Sequence, residues 1–349
     1  MHTLELFRLT PRHIAEFRSA KTLYISDFRA ASSSVGEHST WLVYYENMLL
    51  PVVSAGTVVV NDGYLPSLQR EGVHSCISAH PHGFVSIAER LPDTLNWDEI
   101  DQIWTAVPHP AIDRLAEMHG KKSTYSYTDF CRFNNKVLQK QCVPAELTSV
   151  WGKDSILDHV QPGYYLKHEF GCGGLEVCTV GHEKNYDGQN FREMIEKDPD
   201  HWYWEEEVQG VSCSVSLYTR GDDTVVFGWS EQIFATHAKT SCIGGTLHAP
   251  ESLPIQVRQG LEACVSALLT GLLTTYQGFW GIDYIVSKET GNIVFLEANV
   301  RVTTVTIPQL LLGEMGHAEG VFEEDVITIP KNGRVTNWDS SSKTCDVLH

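Results

Sequence analysis

The sequence predicts a chain of mixed strands and helices in two or three domains, the first of them α/β, on three observations. Its 349 residues are too many for one simple core. Short strand and helix patterns alternate up to about residue 125, after which strand–turn–strand patterns dominate. A late hairpin at 278–301, GFWGIDYIVSKETGNIVFLEANVR, delivers Asp283, Glu297 and Asn299 to one place.

Taken in order, 48–53 and 56–60 read as buried strands and Asn61-Asp62-Gly63 as a turn. Asn96 is a helix cap with acids at Asp98 and Glu99, and a second helix is expected over 110–118 with Gly120 as its stop. No GxGxxG occurs, so this first region lacks a dinucleotide fingerprint. Composition shifts at Gly120-Lys121-Lys122-Ser123, a domain boundary. A single helix is expected over 133–140, then a strand over 164–168 that returns through Gly171-Cys172-Gly173-Gly174. Strands are expected at 202–208 and 211–218 around Gln209-Gly210, another at 225–229, and a long helix over 253–275. The apolar face of that helix (Leu261, Val265, Leu268, Leu272) suits a buried helix better than a membrane span. Residues 332–349 are polar and are expected to be partly disordered.

A formal net charge of −18 excludes a general nucleic-acid binder, because neutralising phosphates takes basic clusters and none occurs. It does not exclude a nucleotide, since a few local lysines and a metal overcome a distant field. The N-terminal MHTLELFRLTPRH carries charges where a signal peptide is apolar, so a cytoplasmic protein without membrane contact is expected. The nine cysteines are odd in number and form no CxxC, which fits buried thiols in a reducing interior.

The residues that carry chemistry form an ordered set. Gly171-Cys172-Gly173-Gly174 is either a phosphate-facing loop of backbone N–H groups or an ordinary hairpin turn. Lys167 precedes it, and Lys136 follows Asn134-Asn135 at a helix start; each is either a phosphate contact or a solvated surface lysine. Glu205-Glu206-Glu207-Val208 is either a solvated acidic face or a connecting strand whose backbone meets a purine. In the hairpin, strand period two puts Glu297, Asn299 and Arg301 on one face, where Asp283 joins them if the strands pair in register. Three oxygen donors of this kind suit a hard cation, and two buried acids without one are costly. Arg301 can bind a phosphate or carboxylate bidentately.

This order resembles the ATP-grasp superfamily of carboxylate–amine ligases. Lys136 and Lys167 match the family's two nucleotide lysines, although Asn135 stands where an acid is usual. Gly171, Gly173 and Gly174 match its glycine loop, and Glu205, Glu206 and Val208 its adenine connection, with Glu205 accepting from the exocyclic amine. Ser212 stands where an acid often takes the ribose. Asp283, Glu297 and Asn299 match its metal ligands, beside Arg301.

The resemblance implies a fold of α/β and α+β parts: an N-terminal preATP-grasp-like α/β domain over 1–125, then two α+β subdomains that clamp the nucleotide, 126–210 and 211–331, and a polar tail at 332–349. It implies ATP and Mg²⁺ as cofactors, with Mn²⁺ as a substitute, and Lys167 and Arg301 as catalytic groups. The implied reaction passes through an acyl phosphate to an amide, releasing ADP and phosphate. Its partners would be a small carboxylic acid and an amine, amino acids or short peptides by family size, with a homodimer left open. Two other readings stay open: a small-molecule kinase on the same clamp, and a nucleotide-binding regulatory protein without turnover. His80, His82, His237, Lys239 and the 244–248 segment are further polar groups that either line a substrate pocket or lie on the surface.

Overall fold

The computed structural model describes residues 4–15, 17, 19, 21–25, 57–61, 76–79, 95–171, 176–179, 190–235, 238–314, 316–323, 326–331, 334–339 and 344–347. Over these described residues it is a mixed α/β fold built on three sheets. A two-residue strand, β1 (Glu5–Leu6), joins the largest sheet, which is formed by much later chain.

The first sheet is parallel: β2 (Thr22–Ile25), β3 (Thr57–Asn61), β4 (Cys76–Ala79), β5 (Gln102–Thr105) and β6 (Lys122–Ser123), in the order β4-β3-β2-β5-β6. The order reverses between β2 and β5, the kind of switch point where α/β sheets open a crevice at their carboxyl ends. Leu23, Ile25 and Ile103 pack against Ala111 and Ile112 of the helix Pro110–Met118. Asn96 caps only a 3₁₀ turn at Trp97–Glu99.

The second sheet holds β7 (Trp151–Gly152), β8 (Tyr164–His168), β9 (Val177–Cys178) and β10 (Trp202–Glu206) in the order β7-β10-β8-β9. One face, with Leu166 and Trp202, closes on Phe191 and Ile195 of the helix Phe191–Lys197. The alternate residues Tyr165, Lys167, Tyr203 and Glu205 take the other face.

The third sheet has ten strands: β11 (Gly210–Arg220), β12 (Asp223–Ala235), β13 (Ala238–His248), β14 (Gly278–Ser287), β15 (Ile293–Asn299), β16 (Glu319–Glu323), β17 (Val326–Lys331), β18 (Arg334–Asp339) and β19 (Thr344–Val347), with β1 beside β12. Its core forms where Val215, Trp280, Ile282 and Tyr284 meet Leu261, Val265 and Leu268 of the helix Ile255–Gly271. That helix is shorter than the 253–275 expected. The 332–349 segment, expected to be partly disordered, contributes the paired strands β18 and β19. Among the described residues no helix is long and apolar enough to cross a membrane.

The single helix expected over 133–140 is two helices, Tyr127–Phe133 and Lys136–Cys142. Asn134 closes the first. Asn135 caps the second by accepting from the Leu138 N–H at 3.0 Å.

Candidate active site

β15 is an edge strand, and its exposed backbone rungs are covered by side-chain amides from these two helices. Gln139, fully buried, donates through Nε2 to the Ala298 carbonyl at 2.6 Å and accepts the Ala298 N–H at 2.7 Å. Asn134 treats Val300 in the same way: its Oδ1 accepts the Val300 N–H at 2.8 Å. The two residues take the place of a missing neighbour strand. They fix the side chains of Glu297 and Asn299, which alternate with Ala298 and Val300.

On the inner side, β14 pairs with β15 so that Asp283 lies opposite Glu297 and Gly281 opposite Asn299. Opposite Asp283 and Tyr284 the pairing skips Leu296 of β15, and this bulge lets Phe295 enter the core while Glu297, two residues on, turns to the site. The Asn299 amide nitrogen stands between the acids, donating to Asp283 Oδ2 at 2.9 Å and Glu297 Oε1 at 3.3 Å. Arg301 donates to Asn299 Oδ1 at 2.6 Å. Burial, then the neighbouring Glu297 charge, pushes the Asp283 carboxyl up to about 7. Glu297 sits below its ordinary value, because Lys136, Lys167 and Arg301 outweigh the burial that would raise it. An oxygen-rich acid pair, one member short of positive charge, fits a hard divalent cation. Asp283, Glu297 and, after rotation of its amide, Asn299 are the residues that would hold it.

Facing the hairpin, Lys136 at the start of its helix reaches Glu297 Oε2 at 3.3 Å and donates to the Gly171 carbonyl. One ammonium therefore joins the acid pair of the hairpin to Gly171. Gly173 and Gly174 lie outside the described residues, as do His80, His82 and His237. Lys167 and Glu205 are diagonal neighbours across β8 and β10, and the lysine donates to Glu205 Oε1. Glu206 is exposed at the strand end, its N–H given to the Val150 carbonyl at 2.9 Å, and Val208 follows half-buried. Ser212 is taken up by its neighbour strand, donating to Gln232 Oε1 at 2.6 Å.

Sequence reasoning missed Lys140. It lies one helical turn after Lys136, wholly buried, with Nζ 2.8 Å from Glu205 Oε2. The Lys136/Lys140 spacing was visible in the sequence. Four-residue lysine spacing is as common on a solvated helix face, and only the second sheet lying over the helix buries it here. Burial pushes the Glu205 carboxyl up, yet Lys140 and Lys167 together hold it at about 2.

Beyond Arg301, a cavity of about 370 Å³ opens between β5 and the start of β14, with Trp104, Lys122, Tyr125, Arg220 and Phe279 in its wall. Phe17 stacks on Phe279 at 5.9 Å and meets Trp104 edge-on at 5.3 Å, which docks the parallel sheet beside the hairpin. The Tyr125 hydroxyl donates to the Val300 carbonyl at 2.7 Å.

On the other face of the second sheet, Asp198 Oδ1 is 2.5 Å from His201 Nδ1, and Asp198 Oδ2 is 3.3 Å from His168 Nε2. The Phe170 N–H donates to His168 Nδ1 at 3.3 Å, so Nε2 carries the proton and donates to the acid. The trio is a hydrogen-bonded clasp between β8 and the turn at Pro199–His201.

Residues 135–305 match the ATP-grasp domain family. No curated protein matches the sequence. Among solved structures, the chain is similar to an ATP-grasp superfamily protein of Archaeoglobus fulgidus at 15% identity and a TM-score of 0.52, over 88% of this chain and 92% of that one. It is also similar to carboxyaminoimidazole ribonucleotide synthase of Aspergillus clavatus, complexed with ATP (11% identity, TM-score 0.52, 86% of this chain and 81% of that one). A third is N5-carboxyaminoimidazole synthetase of Staphylococcus aureus, complexed with ADP (10% identity, TM-score 0.51, 91% and 84%). At these identities the likeness concerns the fold. The sequence match to the ATP-grasp domain covers residues 135–305, just under half of the chain.

Proposed function

We propose that the protein is an ATP-dependent ligase that joins a small carboxylic acid to an amine through an acyl phosphate, releasing ADP and phosphate. The observation that carries this reading is the double contact of Lys136. It ties Glu297 of the acid pair to the Gly171 carbonyl, so the proposed metal ligands and the residue that opens the glycine segment face one space. Lys136, Lys167 and Arg301 bring three cations to that space within a chain of net charge −18, the donors that a polyphosphate requires.

In this reading the nucleotide lies between the second and third sheets, with adenine at Glu205–Val208 and phosphates toward Lys136, Lys167 and the glycine loop. A Mg²⁺ ion held by Asp283, Glu297 and Asn299 would neutralise charge on the transferring phosphoryl group. Arg301, at the boundary between the acid pair and the cavity, orients the substrate carboxylate toward that phosphoryl group. The cavity beside it, with aromatic walls and the cations Lys122 and Arg220, suits an acid of amino-acid or dipeptide size. No enzyme nucleophile is needed.

The test is a Mg²⁺-dependent ADP-release screen over amino acids and dipeptides, with condensed products read by mass spectrometry. Release of ADP and phosphate with an amide product, only when acid and amine are both present, is expected. AMP and pyrophosphate as products would overturn the acyl-phosphate route.

A further inference from the structure

Glu205 is nearly as buried as its partner Lys140, with side-chain exposures of 2% and 0%. Lys167 donates to its other oxygen, so two ammoniums hold one carboxylate. Such a buried cluster is weak evidence of stabilisation, because apolar residues of similar volume hold a core as well or better. Its asymmetry is more telling. Lys140 emerges from a helix whose neighbouring buried residue, Gln139, is pinned to β15. Lys167 stands on β8 with 14% of its side chain exposed and its ammonium over the Tyr165 ring. One lysine is fixed and the other has room to move.

We propose that Lys140 is a positioning residue, the permanent counter-ion of Glu205 that lets Lys167 leave that carboxylate for the phosphates of an arriving nucleotide. The proposal rests on the ATP-site reading above and adds a residue and a step to it. Without Lys140, departure of Lys167 would leave Glu205 buried and unpaired, so Glu205 would retain the lysine and the nucleotide would lose a phosphate contact. With Lys140 in place, Glu205 stays ionised as Lys167 goes. The freed oxygen would then be available to accept from the purine amine.

The experiment is calorimetric titration of the full chain with Mg-ATP and, separately, with adenosine. The proteins are the wild type, Lys140→Met, Glu205→Gln and the double variant, each checked by thermal melting. Lys140→Met is expected to weaken Mg-ATP by at least about tenfold, the value of a lost charge-assisted contact, while adenosine binding changes less than about twofold. Adding Glu205→Gln is expected to restore most of the Mg-ATP loss, since a neutral amide no longer retains Lys167 and still accepts from an amine. An equal loss for adenosine and Mg-ATP, a Lys140→Met affinity within about twofold of wild type, or a double variant no better than the single would overturn the hand-off. If Lys140→Met fails to fold, the double variant decides alone, because it buries no unpaired charge. It is expected to bind within about threefold of wild type, and a loss beyond about tenfold overturns the proposal. If wild type binds adenosine but Mg-ATP no better, the phosphate role of Lys167 fails and the hand-off with it. If it binds neither, the ATP-site reading itself fails.

Discussion

Replacing Gln139 by Leu tests how the fold holds the acid pair. The Gln139 amide makes three hydrogen bonds, to the Phe133 carbonyl at 2.7 Å, the Ala298 carbonyl at 2.6 Å and the Ala298 N–H at 2.7 Å. Leucine keeps the volume and leaves all three backbone groups without that partner, at a position with 0% exposure where water does not reach them. At about 1 kcal/mol for each bond lost, the expected destabilisation is about 3 kcal/mol. That corresponds to a melting point lower by roughly 6–12 °C. Urea unfolding followed by tryptophan fluorescence measures it. Ala298 lies between Glu297 and Asn299, so divalent-cation affinity is expected to fall as well. A variant within about 0.5 kcal/mol of wild type, with unchanged cation binding, would refute the idea that this amide serves as the missing neighbour strand of β15.

Three more expectations follow from the same geometry. The Asp283 carboxyl is raised to about 7 in the fold, so the metal-free protein binds a proton that the unfolded chain gives up near pH 4; its stability should fall as pH rises from about 4 to 7 and then level off. Mn²⁺ affinity, read by electron paramagnetic resonance, should correspondingly be higher at pH 8 than at pH 6, and a flat profile counts against Asp283 as a ligand. The His201 ring is raised and Asp198 lowered, chiefly by their mutual hydrogen bond. Their contribution is present from about pH 4 to 6.5 and is lost as pH climbs through the raised histidine value or drops through the lowered aspartate value. Melting curves of Asp198→Asn should differ most from wild type inside that window, and a difference confined to pH 8 would contradict the clasp. Glu297→Ala should remove turnover with little loss of fold, and near-normal ADP release would exclude Glu297 as a metal ligand.

The hairpin was the most legible part of the sequence, because strand period two alone puts Glu297, Asn299 and Arg301 on one face. The turn at Glu289–Asn292 then leaves few registers for Asp283. What the sequence concealed depends on contacts made across long separations. Gln139 and Asn134 read as unremarkable helix residues until β15 lies beside them, more than 150 residues away in the chain. Lys140 was hidden for the same reason, since a lysine spaced four from another is most often a solvated pair. Asn135 looked like a departure from the family pattern, yet an asparagine caps a helix as well as an aspartate. The break at Asn134–Asn135 escaped a reading by apolar periodicity because both halves keep helical spacing. The strands at the end of the chain escaped it because polar residues carry little period-two signal.

The acyl phosphate is the central claim, and oxygen transfer tests it most directly. An acid substrate found by the ADP-release screen would be labelled with ¹⁸O in its carboxylate and turned over with Mg-ATP and its amine. The account predicts that a carboxylate oxygen appears in the released phosphate, because phosphoryl transfer to the acid makes that oxygen the bridge that departs with phosphate. Phosphate free of label, with ¹⁸O appearing in AMP or remaining entirely in the amide and unreacted acid, would contradict it.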